Sequence, residues 1–83
     1  MLKAVQELGD SVSRAQIKEL RSVLGDGLYS LLDSAFDSDT EEEAKERVEA
    51  FVSSAKKNKM KILKARRVLD EGQKELIMKF MES

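Results

Sequence analysis

Apolar residues in the second half of the chain recur at helical spacing almost without interruption. From Thr40 to Glu82, Ala44, Val48, Phe51, Val52, Ala55, Ile62, Ala65, Leu69, Leu76 and Phe80 follow one another mostly three, four or seven residues apart. On a helix that spacing puts them on one face. The stretch contains no proline and one glycine, Gly72, so no residue in it forbids continuous helix.

The phase of the stripe is kept across Asn58, where two readings compete. For a break, Lys56, Lys57 and Lys59 would suit a helix C-terminus, and a hairpin turning at Asn58 would set Phe51 opposite Ala65. Against it, a helix starting at Lys59 would place Lys59, Lys61 and Lys64 near its positive dipole end. Val48, Ala55, Ile62, Leu69 and Leu76 also run at sevenfold spacing through the supposed turn, as in a coiled-coil seam. The continuous helix is the favoured reading. At about 1.5 Å per residue it would be ~60 Å long.

The first 36 residues predict three short helices. Leu2, Val5 and Leu8 make one apolar edge, and Gly9-Asp10-Ser11 reads as its stop. Ser13-Arg14-Ala15-Gln16 is a capping box, opening a helix that turns Ile17, Leu20 and Leu24 inward. Gly25-Asp26-Gly27 predicts a tight turn, since glycine reaches positive φ without steric penalty. Leu28, Leu31, Leu32, Ala35 and Phe36 form the third apolar face, which Tyr29 shares. Thr40 and Glu43 make a second capping box, with Glu41, Glu42 and Glu43 at a dipole end that favours acids. The expected architecture is therefore all-α. It is one small helical bundle over residues 1–83, with short helices in 1–36 and a long helix or helical hairpin over 40–82.

Eighty-three residues bury only about 60% of their unfolded surface, which leaves a thin core and makes burial against a partner favourable. The chain has no cysteine, histidine or tryptophan. Disulfides, imidazole or thiolate metal ligands and Cys/His nucleophile pairs are thereby removed. No apolar run reaches the length of a signal-peptide core or membrane span, so a cytoplasmic location without membrane contact is expected.

Net charge is −1, but its distribution is segregated. Seven acids and two bases lie between Asp37 and Glu49; seven bases and no acid lie between Lys56 and Arg67. Two long helices associating antiparallel would set these blocks against each other, predicting an antiparallel homodimer and disfavouring the parallel one.

Candidate chemistry is sparse. Glu42, Glu46 and Glu49 share the face opposite Val48, Phe51 and Val52, which is read as a solvated face and not as a catalytic carboxylate pair. Ser13, Ser30 and Ser34 have no histidine to activate them. Asp37-x-Asp39-x-Glu41 starts like a calcium loop, but its sixth position is Glu42 instead of glycine and its twelfth is Val48 instead of glutamate. A helix-turn-helix over Ile17 to Leu32 would need a basic recognition helix, which Leu28 to Ser34 is not. No catalytic residue, cofactor or metal site is expected, and the chain is read as no enzyme.

Two surfaces remain. Lys57, Lys61, Lys64 and Arg67 would form a ridge able to neutralise phosphates, without the aromatics that stack on single-stranded bases. Met60, Leu63, Ile77, Met78 and Met81 project off the main stripe, and methionine-rich surfaces adapt to protein partners. The leading expectation is a small self-associating interaction module (adaptor, assembly factor or inhibitor) acting through these apolar residues. The alternative is a nucleic-acid-binding accessory or regulatory protein using the basic ridge.

Overall fold

The Ser13 capping box forms as its spacing predicts. Gln16 N donates to Ser13 Oγ at 3.2 Å, and Ser13 N donates to Gln16 Oε1 at 2.9 Å. It opens the longest of five helices in the computed structural model, which describes residues 1–82 and holds no strand among them. The helices are α1 (Leu2–Ser11), α2 (Arg14–Phe36), α3 (Glu41–Lys56), α4 (Lys59–Val68) and α5 (Glu71–Glu82). Thr40 caps α3 one-sidedly. Its Oγ1 accepts from Glu43 N at 3.1 Å, while the Glu43 carboxylate takes the Thr40 hydroxyl and the Arg47 guanidinium instead of the Thr40 amide.

The N-terminal glycines act differently from their expected roles. Gly9 does not stop α1, which runs on to Ser11; a Cβ there would lie 3.2 Å from the Phe36 ring, so the bare backbone lets α1 approach the end of α2. Only Gly25 breaks α2, with φ 83° and ψ 160°, bending the helix between Leu24 and Asp26. Gly27 is helical and faces open space. The bend keeps Leu20, Leu24, Leu28, Tyr29, Leu32 and Ala35 all buried on the inner side.

The expected continuous C-terminal helix is replaced by three helices. The chain leaves helix at Lys57–Asn58 and again at Leu69–Asp70. The molecule measures 28 × 25 × 21 Å, less than half the expected rod length in its longest direction. The favoured reading was thus incorrect, and magnitudes explain why. Lys59 and Lys61 do sit at the start of α4, where no side-chain cap forms, but an unfavourable surface dipole contact costs only about 0.3–1 kcal/mol. Folding α4 back onto α2 buries Ile62, Ala65 and Leu69, and each large aliphatic side chain stabilises by roughly 1.5–3 kcal/mol. Burial wins. Asn58 supports the turn by donating Nδ2 to the Ser54 carbonyl at 2.9 Å.

Packing centres on α2, against which α3 and α4 both lie, while α5 closes on α1. Leu8, Leu24, Phe51, Ile62 and Ile77, one from each helix, meet around an apolar void of only about 10 Å³, so the core has no room for a ligand.

One polar cluster ties the helix ends together. Gln73, 2% exposed, accepts at Oε1 from Asp70 N at 3.0 Å and from Gln16 Nε2 at 2.7 Å. Its Nε2 donates to the Ser11 carbonyl, the Ser11 hydroxyl and Gln16 Oε1 at 2.9, 3.2 and 3.2 Å. Gln73 N donates to Asp70 Oδ1 at 2.8 Å, which completes a second capping box, and Gln16 Nε2 reaches the Val68 carbonyl at 3.1 Å. Two capping boxes therefore interlock through their glutamines.

Gln73→Ala removes donors and acceptors from this cluster and should destabilise the protein by about 1–3 kcal/mol, the penalty for stranded buried polar groups. Denaturant unfolding measures it. The two glycines of α2 should respond with opposite signs. Gly25→Ala places a Cβ on a backbone that only glycine tolerates and should cost about 1–3 kcal/mol. Gly27→Ala adds helix propensity in open space and should stabilise by roughly 0.5–1 kcal/mol.

Candidate interaction surface

Helix α4 carries five basic residues and no acid in ten positions. Its inner positions, Ile62 and Ala65, pack into the core, so the outer side is left with Met60, Leu63, Lys64 and Arg67. Met60 is 67% exposed and Leu63 49%. None of the seven basic residues from Lys56 to Arg67 has a carboxylate within ion-pair distance among the described residues. Two acids of the acidic block are engaged elsewhere: Glu43 holds Arg47 at 3.0 Å, and Glu41 lies 2.8 Å from the amino terminus, which lowers its pKa chiefly through that hydrogen bond.

Helix α5 leaves α4 after the turn at Leu69–Asp70 and carries the third exposed apolar side chain, Met78 at 41%. Arg66 Nη2 lies 3.5 Å from Met78 Sδ, so the two helices touch through a guanidinium and a thioether. Between them is a surface groove of about 280 Å³ lined by Leu63, Arg66, Arg67 and Lys74. Lys74 is 3.5 Å from Glu71, an exposed pair that contributes little. The result is a surface on which exposed apolar side chains alternate with cations.

The expected apolar residues divide between this surface and the core. Met60, Leu63 and Met78 are exposed. Ile77 is 6% exposed and belongs to the core, and Met81 is half-buried against it. The correction follows from the break at Leu69–Asp70: α5 starts a new axis, so its inner face is Gln73, Ile77 and Phe80 instead of a continuation of the Ile62–Leu69 row. The expected basic ridge is also divided. Lys57 caps the end of α3, and Lys61 extends its ammonium toward Gly25, lying 3.7 Å from where a Cβ would stand there. Lys64 and Arg67 stay on the outer side of α4. Arg66, expected only to flank the apolar stripe, and Lys74 join this surface because their positions beside the groove depend on how α4 and α5 meet.

A second concavity, about 530 Å³, opens beside the end of α2. Val12, Ile17, Tyr29 and Phe36 line it together with Asp10, Asp33, Asp37 and Asp39. The residues that began like a calcium loop are spread here, with Glu41 turned to the amino terminus. No group of three or more carboxylates converges on one point among the described residues. The adjacent Ser38 buries a hydroxyl that has no hydrogen-bond partner. Arg21 stacks over the Tyr29 ring at 5.2 Å.

No helix among the described residues is long and apolar enough to cross a membrane. Comparison with known proteins finds no matching family model, no matching curated protein sequence and no matching solved structure.

Burial, then the neighbouring Asp33 carboxylate, pushes the Tyr29 phenol above its ordinary 10.0, with Arg21 opposing. A raised folded-state pKa means the stabilisation is complete below pH about 10 and is lost as pH rises through the folded value. Tyr29 is the one tyrosine, so tyrosinate absorbance near 295 nm reports it alone. The midpoint should lie above that of the unfolded chain, and Arg21→Ala should move it further up.

Proposed function

We propose that this chain is a small intracellular protein-interaction module, an adaptor, assembly factor or inhibitor, that docks a partner on the outer faces of α4 and α5. The observation carrying this reading is the exposure of Met60, Leu63 and Met78 along a line that passes through Arg66: Met60, Leu63 and Arg66 stand one turn apart on α4, and the Arg66 guanidinium touches Met78. These large apolar side chains, exposed by 41–67%, all fall on the two adjoining C-terminal helices. Scattered exposed apolar residues are ordinary, whereas a contiguous group rimmed by polar residues marks an interaction site. Partner binding there would cover the thioethers and the leucine, and the flanking cations would steer and orient it.

The local rules that α4 breaks support the same reading. Its N-terminus has no side-chain cap and starts with lysines, and its cations are unneutralised. Departures of this kind concentrate at functional sites. The uncompensated charge also favours a second reading, a nucleic-acid accessory protein contacting phosphate through Lys57, Lys61, Lys64 and Arg67. The dispersal of those four side chains and the apolar residues of this surface weigh against it. The antiparallel homodimer has lost its basis, because no rod carries both charge blocks.

A variant with Met60→Asp, Leu63→Asp and Met78→Asp separates the readings. Helix content should be unchanged, since all three side chains are exposed, while capture of specific protein from a cell extract should be abolished. The nucleic-acid reading instead expects co-purified material absorbing at 260 nm. That material would be lost on raising salt and on Lys64→Glu with Arg67→Glu, and kept by the triple aspartate variant.

A further inference from the structure

Resting on the reading of the α4–α5 face as an interaction surface, we infer that its occupant is an acidic amphipathic helix. Such a helix would lay its apolar residues along Met60, Leu63 and Met78 and set carboxylates against Arg66, Arg67 and Lys74.

Three features of the surface select this chemistry. The first is charge. The groove is lined by three cations around one leucine, and the helix that forms one wall has no acid at all. An incoming carboxylate would meet guanidiniums that no internal carboxylate already occupies, and Arg can take it with two parallel hydrogen bonds. The second is the mixture of charge with exposed apolar area. A nucleic acid would satisfy the cations but offer its phosphates nothing to gain from Met60 or Leu63. An amphipathic helix presents apolar and acidic residues side by side, three and four positions apart, and matches both demands at once. The third is shape. Leu63, Arg66, Arg67 and Lys74 line a concavity, which the ridge of a helix can enter and the broad surface of a bilayer cannot.

A second copy of this chain fits poorly. Its acidic block lies on α3, but the apolar residues of that helix, Ala44, Val48, Phe51, Val52 and Ala55, are buried in its own core. The exposed side of α3 could supply carboxylates but no apolar anchors. The chain's other acidic and apolar surface, beside the end of α2, is itself a concavity and offers no helix ridge to this one, so the partner is a different protein whose helix shows both.

The four methionine methyl groups of the full chain, Met1, Met60, Met78 and Met81, serve as reporters by NMR with 13C-methyl labelling. The probes are three synthetic helical peptides with the same leucine face, flanked by glutamate, by serine or by lysine, together with a mixed-sequence DNA duplex. The inference expects the glutamate peptide to shift Met60 and Met78 but not Met1. It should bind at least about tenfold more tightly than the serine peptide, a preference that falls as salt rises. Arg66→Glu with Arg67→Glu should remove that preference while leaving the free protein's circular dichroism unchanged.

Equal shifts from the serine or lysine peptide would overturn the acidic assignment and leave the docking face standing. Shifts of Met60 and Met78 by the duplex alone would overturn the assignment and the interaction reading together. So would silence of both methyls with every peptide. If sedimentation showed the free protein dimerising with Met60 and Met78 already shifted by dilution, the occupant would be a second copy and the inference would fail.

Discussion

The reciprocal amide pair of Gln16 and Gln73 is the constraint on which the C-terminal geometry depends. Each glutamine belongs to the capping box at the start of its own helix, and each also hydrogen-bonds the other at 2.7 and 3.2 Å. Through them the end of α1, the start of α2, the last carbonyl of α4 and the start of α5 are held at one point. A buried amide is tolerated only where its donors and acceptors are met, and here the partners come from four chain segments. That requirement sets where α4 must stop and the direction in which α5 must leave. The groove between α4 and α5 follows from it.

With that point fixed, the positive helix α4 becomes intelligible. Its inner side is held by packing on α2, so it can carry lysines at its start and five cations that meet no carboxylate at ion-pair distance among the described residues. Packing of the inner face outweighs the local electrostatic penalty, which at an exposed helix end is a fraction of a kcal/mol to about one. What is locally unfavourable for folding remains available for binding, because an anionic partner would relieve it. Stability draws on the inner side of these ten residues, and the proposed interaction on the outer side.

Much of the fold is legible in the chain. The Ser13–Gln16 spacing announces the start of α2, Thr40 the start of α3, and the apolar positions of 40–82 identify the buried faces of α3 and α4 correctly. The same kind of signal stood at Asp70-x-x-Gln73, where an acid three residues before a glutamine marks a helix start. It was hidden by lying inside an uninterrupted helical stripe. Gly9 and Gly27 were unreadable for another reason: whether a glycine turns the chain, admits a neighbouring ring or simply sits in a helix depends on what approaches it. At the candidate site, Met60, Leu63 and Met78 stood out because they fall off the apolar stripe. Ile77 looked the same from its spacing, and only the restarted axis of α5 takes it inward.

Periodicity, capping chemistry and composition by themselves determined an all-helical chain, which residues of α3 and α4 face inward, and the separation of an acidic block from a basic one. These are local properties, set by spacing within a turn or two of helix. The tertiary structure alone decided that the stripe folds into three helices instead of one rod. It also decided which off-stripe residues stay exposed and that Arg66 and Lys74 border the same groove. The physical reason is that a stripe records which side seeks burial but carries no information on whether its axis runs straight. A bend is settled by how much apolar surface the rest of the chain can cover, weighed against small costs at the helix ends.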